Sequence, residues 1–327
     1  MLELIGMNIE PILQSTIRLA VPFLLAAAGG LFSDLAGISS IELEAILLIG
    51  AFAGFVGAFF SGSIFLGMLL AIAAGTVVCA IYSYLVVGLG ARAALVATAL
   101  VLFSTGFSSF FNRALFGVST EIVSVESLPN LNIPVLSNLP FTGPILFQQN
   151  ILVYFAFALI LVQYFFFYKT MIGLEWRSIG ENADAADAAG LPVRRYRHIA
   201  VLLTGAIAGL AGAYLSIASS NVFVEKMSAE KGYAAYAIII LGKYTPIGAM
   251  LGCLLYGFAD ALQFSLQAIG VEVPNQFLLM LPYVFTLIVM FVSGHGNAPQ
   301  GHGKYFAKKQ IRKRSRRGRM AIASKST

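Results

Sequence analysis

A chain of 327 residues that is 58% hydrophobic and only 11% charged carries less than half the charge of an ordinary soluble protein, for which about 25% is typical. A single soluble core cannot absorb that much apolar surface, so the composition points to a lipid bilayer as the solvent. The net charge of +6 does not argue for nucleic acid, because 10 of the 21 Lys and Arg lie between Lys304 and Lys325, in a tail with no groove-reading pattern and no aromatic residue interleaved among the cations beyond Phe306.

In chain order, Glu3 and Glu10 precede the first apolar run and Arg18 is the only early cation. The basic start of a cleaved leader is missing, so the first run is expected to persist as a helix. Apolar stretches long enough to cross about 30 Å of hydrocarbon predict spans near residues 15–33, 43–61, 63–89, 93–115, 145–168, 198–220, 233–265 and 277–293. The run 233–265 is too long for one crossing. It is interrupted at Lys243, Tyr244, Thr245 and Pro246, so it reads as a short segment followed by a full helix. The expected fold is an all-α polytopic transmembrane bundle with about nine crossings, within a range of eight to ten.

Cation placement orients the chain. The loop 169–198 holds Lys169, Arg177, Arg194, Arg195 and Arg197, whereas Val118–Pro144 holds Glu121, Glu126 and four prolines with no Lys or Arg. The first is expected in the cytoplasm and the second outside. Four crossings then bring the basic tail to the cytoplasm, and an odd total puts the N-terminus outside. The expected division is a permease domain over 1–303, with its cytoplasmic loop at 169–198, and a basic, disordered cytoplasmic tail over 304–327. The tail is suited to anionic lipid.

Glycines recur at four-residue spacing, as in Gly50 with Gly54, Gly205 with Gly209, and Gly248 with Gly252. In lipid such pairs let helix backbones approach closely. Cys79 and Cys253 both lie in apolar stretches, which predicts small core residues rather than a disulfide or a thiolate metal site. His198, His295 and His302 have no metal-ligand spacing, and no serine elbow or glycine-rich dinucleotide turn occurs. The phosphate-binding pattern GxxxxGK[ST] is also missing, since Gly242–Lys243 and Gly303–Lys304 are each followed by Tyr. The chain is therefore expected not to be an enzyme, to hold no cofactor or metal, and to rely on another subunit for any ATP hydrolysis.

The segment GLEWRSIGENADAADAAGLPVRRYRH reads in its middle as a short polar helix. Glu181, Asn182 and Asp184 favour its start, alanines fill it, Gly190 caps it and Pro192 prevents its continuation. A polar helix between two spans suits docking into a groove on a cytoplasmic partner; an ordinary solvated loop helix is the other reading.

This segment, extended through IAVLLTGAIAGLAGAYLS, resembles the cytoplasmic coupling loop of permease subunits in ATP-binding cassette importers of the ribose and branched-chain amino acid type. The similarity is closest to the simple-sugar and nucleoside branch and covers most of the chain. GAMLGCLLYGFADALQFSLQAIG, PNQFLLMLPYVFTLIVM and, more weakly, LPFTGPILFQQNILVY share it.

The resemblance implies a permease moving nucleosides or simple sugars inward across a bacterial cytoplasmic membrane. Its implied partners are an ATP-binding cassette subunit carrying ATP and magnesium, a second and different permease subunit, an external solute-binding protein and the lipid bilayer. It also implies that Gly180, Glu181, Asp184, Asp187 and Gly190 form the coupling contact, flanked by Arg177 and Arg194. The chain departs from that branch at Ser40–Ala45, where an NIGLEG-like pattern is usual and only Glu44 matches. It departs again at Arg92–Ala97, where a polar DQIxSG stretch is usual.

Polar residues within spans default to function. Asp260, with Gln263 and Gln267 on the same side of its helix, is expected either to line a path for a hydroxyl-rich solute or to join helices by hydrogen bonds. Glu44 is the further candidate for pathway lining. An ion-coupled secondary transporter is the alternative function, with Asp260, Glu42 and Glu44 as its available carboxylates. A membrane-embedded enzyme or a structural scaffold is a second rival, and the lack of clustered nucleophile, base or metal-ligand residues in the sequence argues against the enzyme.

Overall fold

A computed structural model describes residues 9–117, 123–132, 145, 147–269, 274–293 and 298–306. Seven helices are long and apolar enough to cross a bilayer. They are α1 (Ile9–Leu35), α2 (Leu43–Ser61), α3 (Ile64–Ser83, extended by a π-helical turn to Gly88), α4 (Ala93–Phe116), α5 (Ile151–Lys169), α8 (Val193–Ala213, extended by a π-helical turn to Ser219) and α10 (Pro246–Ile269). Two short helices, α6 (Met171–Glu181) and α7 (Ala183–Ala188), join α5 to α8. The half-length α9 (Lys231–Leu241) precedes α10, and α11 (Asn275–Leu279) and α12 (Leu281–Ser293) close the bundle. Helices prevail because hydrocarbon offers no partner for a free backbone N–H or C=O.

The sequence bounds mostly hold, with informative shifts. The interruption expected at residues 243–246 falls between Leu241 and Pro246. Helix α8 starts at Val193, directly after Pro192, so Arg194, Arg195 and Arg197 belong to its first turns instead of the preceding loop. The last span is divided at Met280. One antiparallel strand pair, β1 (Asn130–Asn132) with β2 (Gln148–Asn150), departs from an all-helical expectation; it satisfies backbone groups of the extended chain that leads into α5. The basic tail beyond Phe306 lies outside the described residues.

Helices α1, α2 and α8 form the buried centre, with α3 against α2 and α8, and α10 against α1. Helices α3, α4 and α5 turn large apolar side chains outward, including Leu102 at 70% and Phe165 at 62% exposure, which are faces for lipid or another membrane subunit. The α2–α3–α8 seam is made by glycines. A Cβ on Gly50 would lie 2.5 Å from the Gly209 carbonyl oxygen, and one on Gly209 would lie 2.5 Å from that of Ala71. Backbones in such contact gain the van der Waals packing that lipid cannot supply.

Two ends of the bundle follow from the chain's alternation. At one end, Ser83 of α3 meets His198 of α8, Oγ to Nδ1 at 2.6 Å, beside the α6–α7 connection. At the other, Arg113 of α4 donates two hydrogen bonds to Glu225, at 2.7 and 2.9 Å. Those bonds hold the Glu225 carboxyl below the usual carboxylate range.

Candidate functional site

Helix α9 has 11 residues, about 16 Å at 1.5 Å per residue, and so reaches through about half a bilayer. Its start lies deep in the bundle. The Lys231 ammonium sits 5.2 Å from the ring centre of Phe23, midway along α1, and Lys231 Nζ pairs with Asp260 Oδ2 of α10 at 3.8 Å. Glu44, in the first turn of α2, accepts hydrogen bonds at this start from Ser228 Oγ at 2.5 Å, Glu230 N at 3.2 Å and Gly232 N at 2.8 Å. A buried carboxylate side chain thus supplies acceptors to the N–H groups that the first turn of a helix leaves unpaired. Only glycine fits at 232, because a Cβ there would overlap the Glu44 backbone.

The chain around α9 is strained. Among the described residues, the non-glycine residues with positive φ are Asn221, Lys226, Ala229, Glu230, Lys243 and Tyr244. The first four precede the helix and the last two follow it. Left-handed backbone costs about 1 kcal/mol or more per non-glycine residue and collects at segments that switch.

A cavity of about 750 Å³ opens between α1, α10, the end of α8 and the β1–β2 pair. Arg18, Asn130, Asn150, Tyr214 and Ser265 contribute polar groups to its wall, and Tyr214 and Phe264 contribute rings. Arg18 is aimed by bonds to Gln149 Oε1 at 2.9 Å and the Gln148 carbonyl at 3.4 Å, and its own carbonyl accepts from Tyr214 Oη at 3.1 Å. From α10 the wall takes Ala261, Phe264, Ser265 and Ala268, one face at helical spacing. Asp260, Gln263 and Gln267 occupy the adjacent face. Asp260 and Gln263 are buried and Gln267 is half-buried.

At the end opposite the β pair, α6 and α7 form a compact hairpin. Asn182 caps α7, accepting from Ala185 N at 3.0 Å, and Gly190 takes φ +92° with nothing within 4 Å of a Cβ there. Glu181, Asp184 and Arg194 are exposed and Asp187 is half-buried. Arg177 stacks 4.7 Å over the Tyr168 ring, back towards α5. Gly180 is buried against the backbone at the end of α1, where a Cβ would overlap the Leu35 carbonyl. All the coupling candidates but Arg194, which lies in the first turn of α8, thus belong to the hairpin and the turn that ends it, with Gly180 packed against the bundle and the acidic residues towards its outer surface.

The structure brings Glu44 and Asp260 to opposite sides of the α9 start. Ser228, Glu230 and Lys231 complete that cluster and were missed: the first two sit in an irregular stretch with no pattern, and Lys231 is the first residue of a helix too short to read as a full span. Arg18 and Tyr214 were missed as well; a single cation inside an apolar run was the available signal for Arg18. Among the described residues no group of three or more His, Cys, Asp and Glu could hold a metal ion.

A family profile described as branched-chain amino acid transport system / permease component matches residues 12–293. The chain is 34% identical to the nucleoside ABC transporter permease protein NupC of Lactococcus lactis over 92% of this chain and 98% of that protein. It is 31% identical to the guanosine ABC transporter permease protein NupQ of Bacillus subtilis, over 91% and 96%. It is 32% identical to a Haloferax volcanii protein carrying the name of a glucose ABC transporter permease, TsgC13, over 85% of each. The chain is a multi-pass membrane protein and belongs to the branched-chain amino acid transport system permease component family.

Proposed function

We propose that this chain is one of two permease subunits of an ATP-driven importer for nucleosides, with simple sugars as the alternative cargo, in a bacterial cytoplasmic membrane. The cavity carries this reading. Its volume lies in the range of small-molecule sites, and Arg18, Asn130, Asn150, Tyr214 and Ser265 offer donors and acceptors suited to ribose hydroxyls and base edges, beside the Phe264 ring. The names of NupC and NupQ favour nucleosides over sugars.

In this reading the cavity faces outward, where a solute-binding protein delivers cargo. The α6–α7 hairpin and the C-terminus face the cytoplasm, where an ATP-binding cassette subunit supplies ATP and magnesium. Glu181, Asp184, Asp187 and Gly190 meet that subunit, and Gly180 passes its displacement to α1. The half-helix α9, held by Glu44 and by the Lys231–Asp260 pair, is the element that closes the pathway; discontinuous helices at mid-membrane commonly border transport sites. The departures at Ser40–Ala45 and Arg92–Ala97 favour a second permease of different sequence.

The test is uptake of labelled guanosine, uridine and ribose into vesicles containing this chain, its permease and ATPase partners, and the binding protein. Nucleoside uptake that requires ATP supports the reading, ribose uptake alone changes the cargo, and gradient-driven uptake with no ATPase overturns it. Gly190→Pro forces a φ that proline cannot adopt, and Glu181→Lys reverses a charge on the docking surface. Each is expected to lower uptake more than about tenfold while the permease remains folded.

A further inference from the structure

We propose that residues 298–306, beyond the last helix, are a working part of the ATPase dock: they form its second wall and tie the hairpin to the end of α1. This rests on the docking role assigned above to the α6–α7 hairpin.

The segment is bound on both sides. Towards the hairpin, Gly301 N donates to the Gly180 carbonyl at 2.9 Å, Gln300 N donates to Glu181 Oε2 at 3.1 Å, and Phe306 is buried with Ile179, Ala186 and Val193. Those three residues come from α6, α7 and α8, so Phe306 completes the hairpin's own apolar core. Towards the bundle, Gly303 N donates to the Gly37 carbonyl at 3.0 Å. His302 Nε2 lies 2.7 Å from Oδ1 of Asp34 at the end of α1, with the aspartate side chain 0% exposed. Arg197, 2% exposed, grips both segments through Nη1 to the Lys304 carbonyl at 3.0 Å and Nε to the Ala36 carbonyl at 3.2 Å.

Between the hairpin and this strap, as we call residues 298–306, lies a groove of about 440 Å³ walled by Glu181, Asn182 and Asp184 on one side and Gln300, Lys304 and Tyr305 on the other. A partner seated on the hairpin meets the strap as well. The strap also touches the turn between α9 and α10, where the Tyr244 and His302 rings are 5.5 Å apart. Displacement of the hairpin therefore reaches both α1 and the base of α9 through one short segment. Rigid contacts with two packed arrangements are what transmit such a movement.

The experiment uses the full reconstituted assembly and reads nucleoside taken up per ATP hydrolysed for His302→Ala, His302→Gln, Phe306→Ala and Glu181→Lys. Loss of the Asp34 contact in His302→Ala is expected to lower the ratio about fivefold or more, and His302→Gln, which keeps a donor at similar reach, to restore most of it. Phe306→Ala is expected to raise about tenfold the ATPase-subunit concentration needed for half-maximal hydrolysis. Unchanged behaviour of His302→Ala and Phe306→Ala, with Glu181→Lys uncoupled, overturns the strap and leaves the dock standing. Unchanged behaviour of all variants overturns the dock itself and the strap with it. A defect that His302→Gln does not restore, with loss of the folded permease on size exclusion, assigns the strap to folding and also overturns the proposal.

Discussion

The α2–α3–α8 seam and the segment around α9 solve opposite problems in the same bilayer. In the seam, Gly50, Gly75, Gly205 and Gly209 bring backbones into direct contact, leaving no space for one helix to shift against another. Around α9 the helix is only 11 residues long, its flanks hold left-handed non-glycine residues, and beyond the single close approach of Gly232 to the Glu44 backbone its start is fastened by carboxylates. Dispersion between close-packed backbones is short-ranged and forfeited by small separations, whereas an ion pair or a helix cap can be exchanged for an alternative partner. The contrast divides the bundle into a part that fixes geometry and a part that can change it.

Perturbing the seam should have the largest effect. Gly209→Val places branched carbon against the Ala71 carbonyl and should cost about 3 kcal/mol, read as a large fall in the thermal midpoint of the purified permease and loss of uptake. Glu44→Ala strips the α9 start of its acceptor, leaving the Gly232 and Glu230 N–H groups and the Ser228 hydroxyl unpaired; about 2 kcal/mol of stability should go, together with uptake.

Asp260→Asn sharpens the comparison by separating fastening from stability. The pair spans 3.8 Å, with the Lys231 and Asp260 side chains 25% and 10% exposed, and the isosteric amide keeps an oxygen that can accept from Lys231, so removing the charge should cost about 1 kcal/mol while uptake falls about tenfold. The smallest expected effect has the opposite sign. Glu230→Gly relieves a φ of +62° and should stabilise the permease by ~0.5 kcal/mol, a small rise in thermal midpoint. A fall on this substitution would contradict strain at that position.

Much of the bundle was legible because lipid imposes length and apolarity on every crossing, and the break before Pro246 was marked by Lys243 and Tyr244 within an otherwise apolar run. The hairpin was legible from local chemistry: Asn182 caps, Gly190 turns and Pro192 restarts. What escaped depended on contacts between residues far apart in the chain. The β1–β2 pair joins Asn130 to Asn150 with no alternating pattern in either strand. Glu44 was a carboxylate of unassigned surroundings until the Gly232 and Ser228 donors were placed against it. His302 stood in a basic terminal stretch that gave no sign of Asp34 on the first helix. The cavity showed the same limit, since α10 presents Ala261, Phe264 and Ser265 to it and turns the more polar Asp260 face to α9.

Amide hydrogen exchange on the reconstituted assembly, with and without a non-hydrolysable ATP analogue, tests the division most directly. Exchange reports local opening segment by segment. The account predicts that nucleotide changes protection in the α6–α7 hairpin, in 298–306 and across 221–244, while α2, α3 and α8 keep their protection. Changes concentrated in the glycine seam, with 221–244 silent, would contradict it.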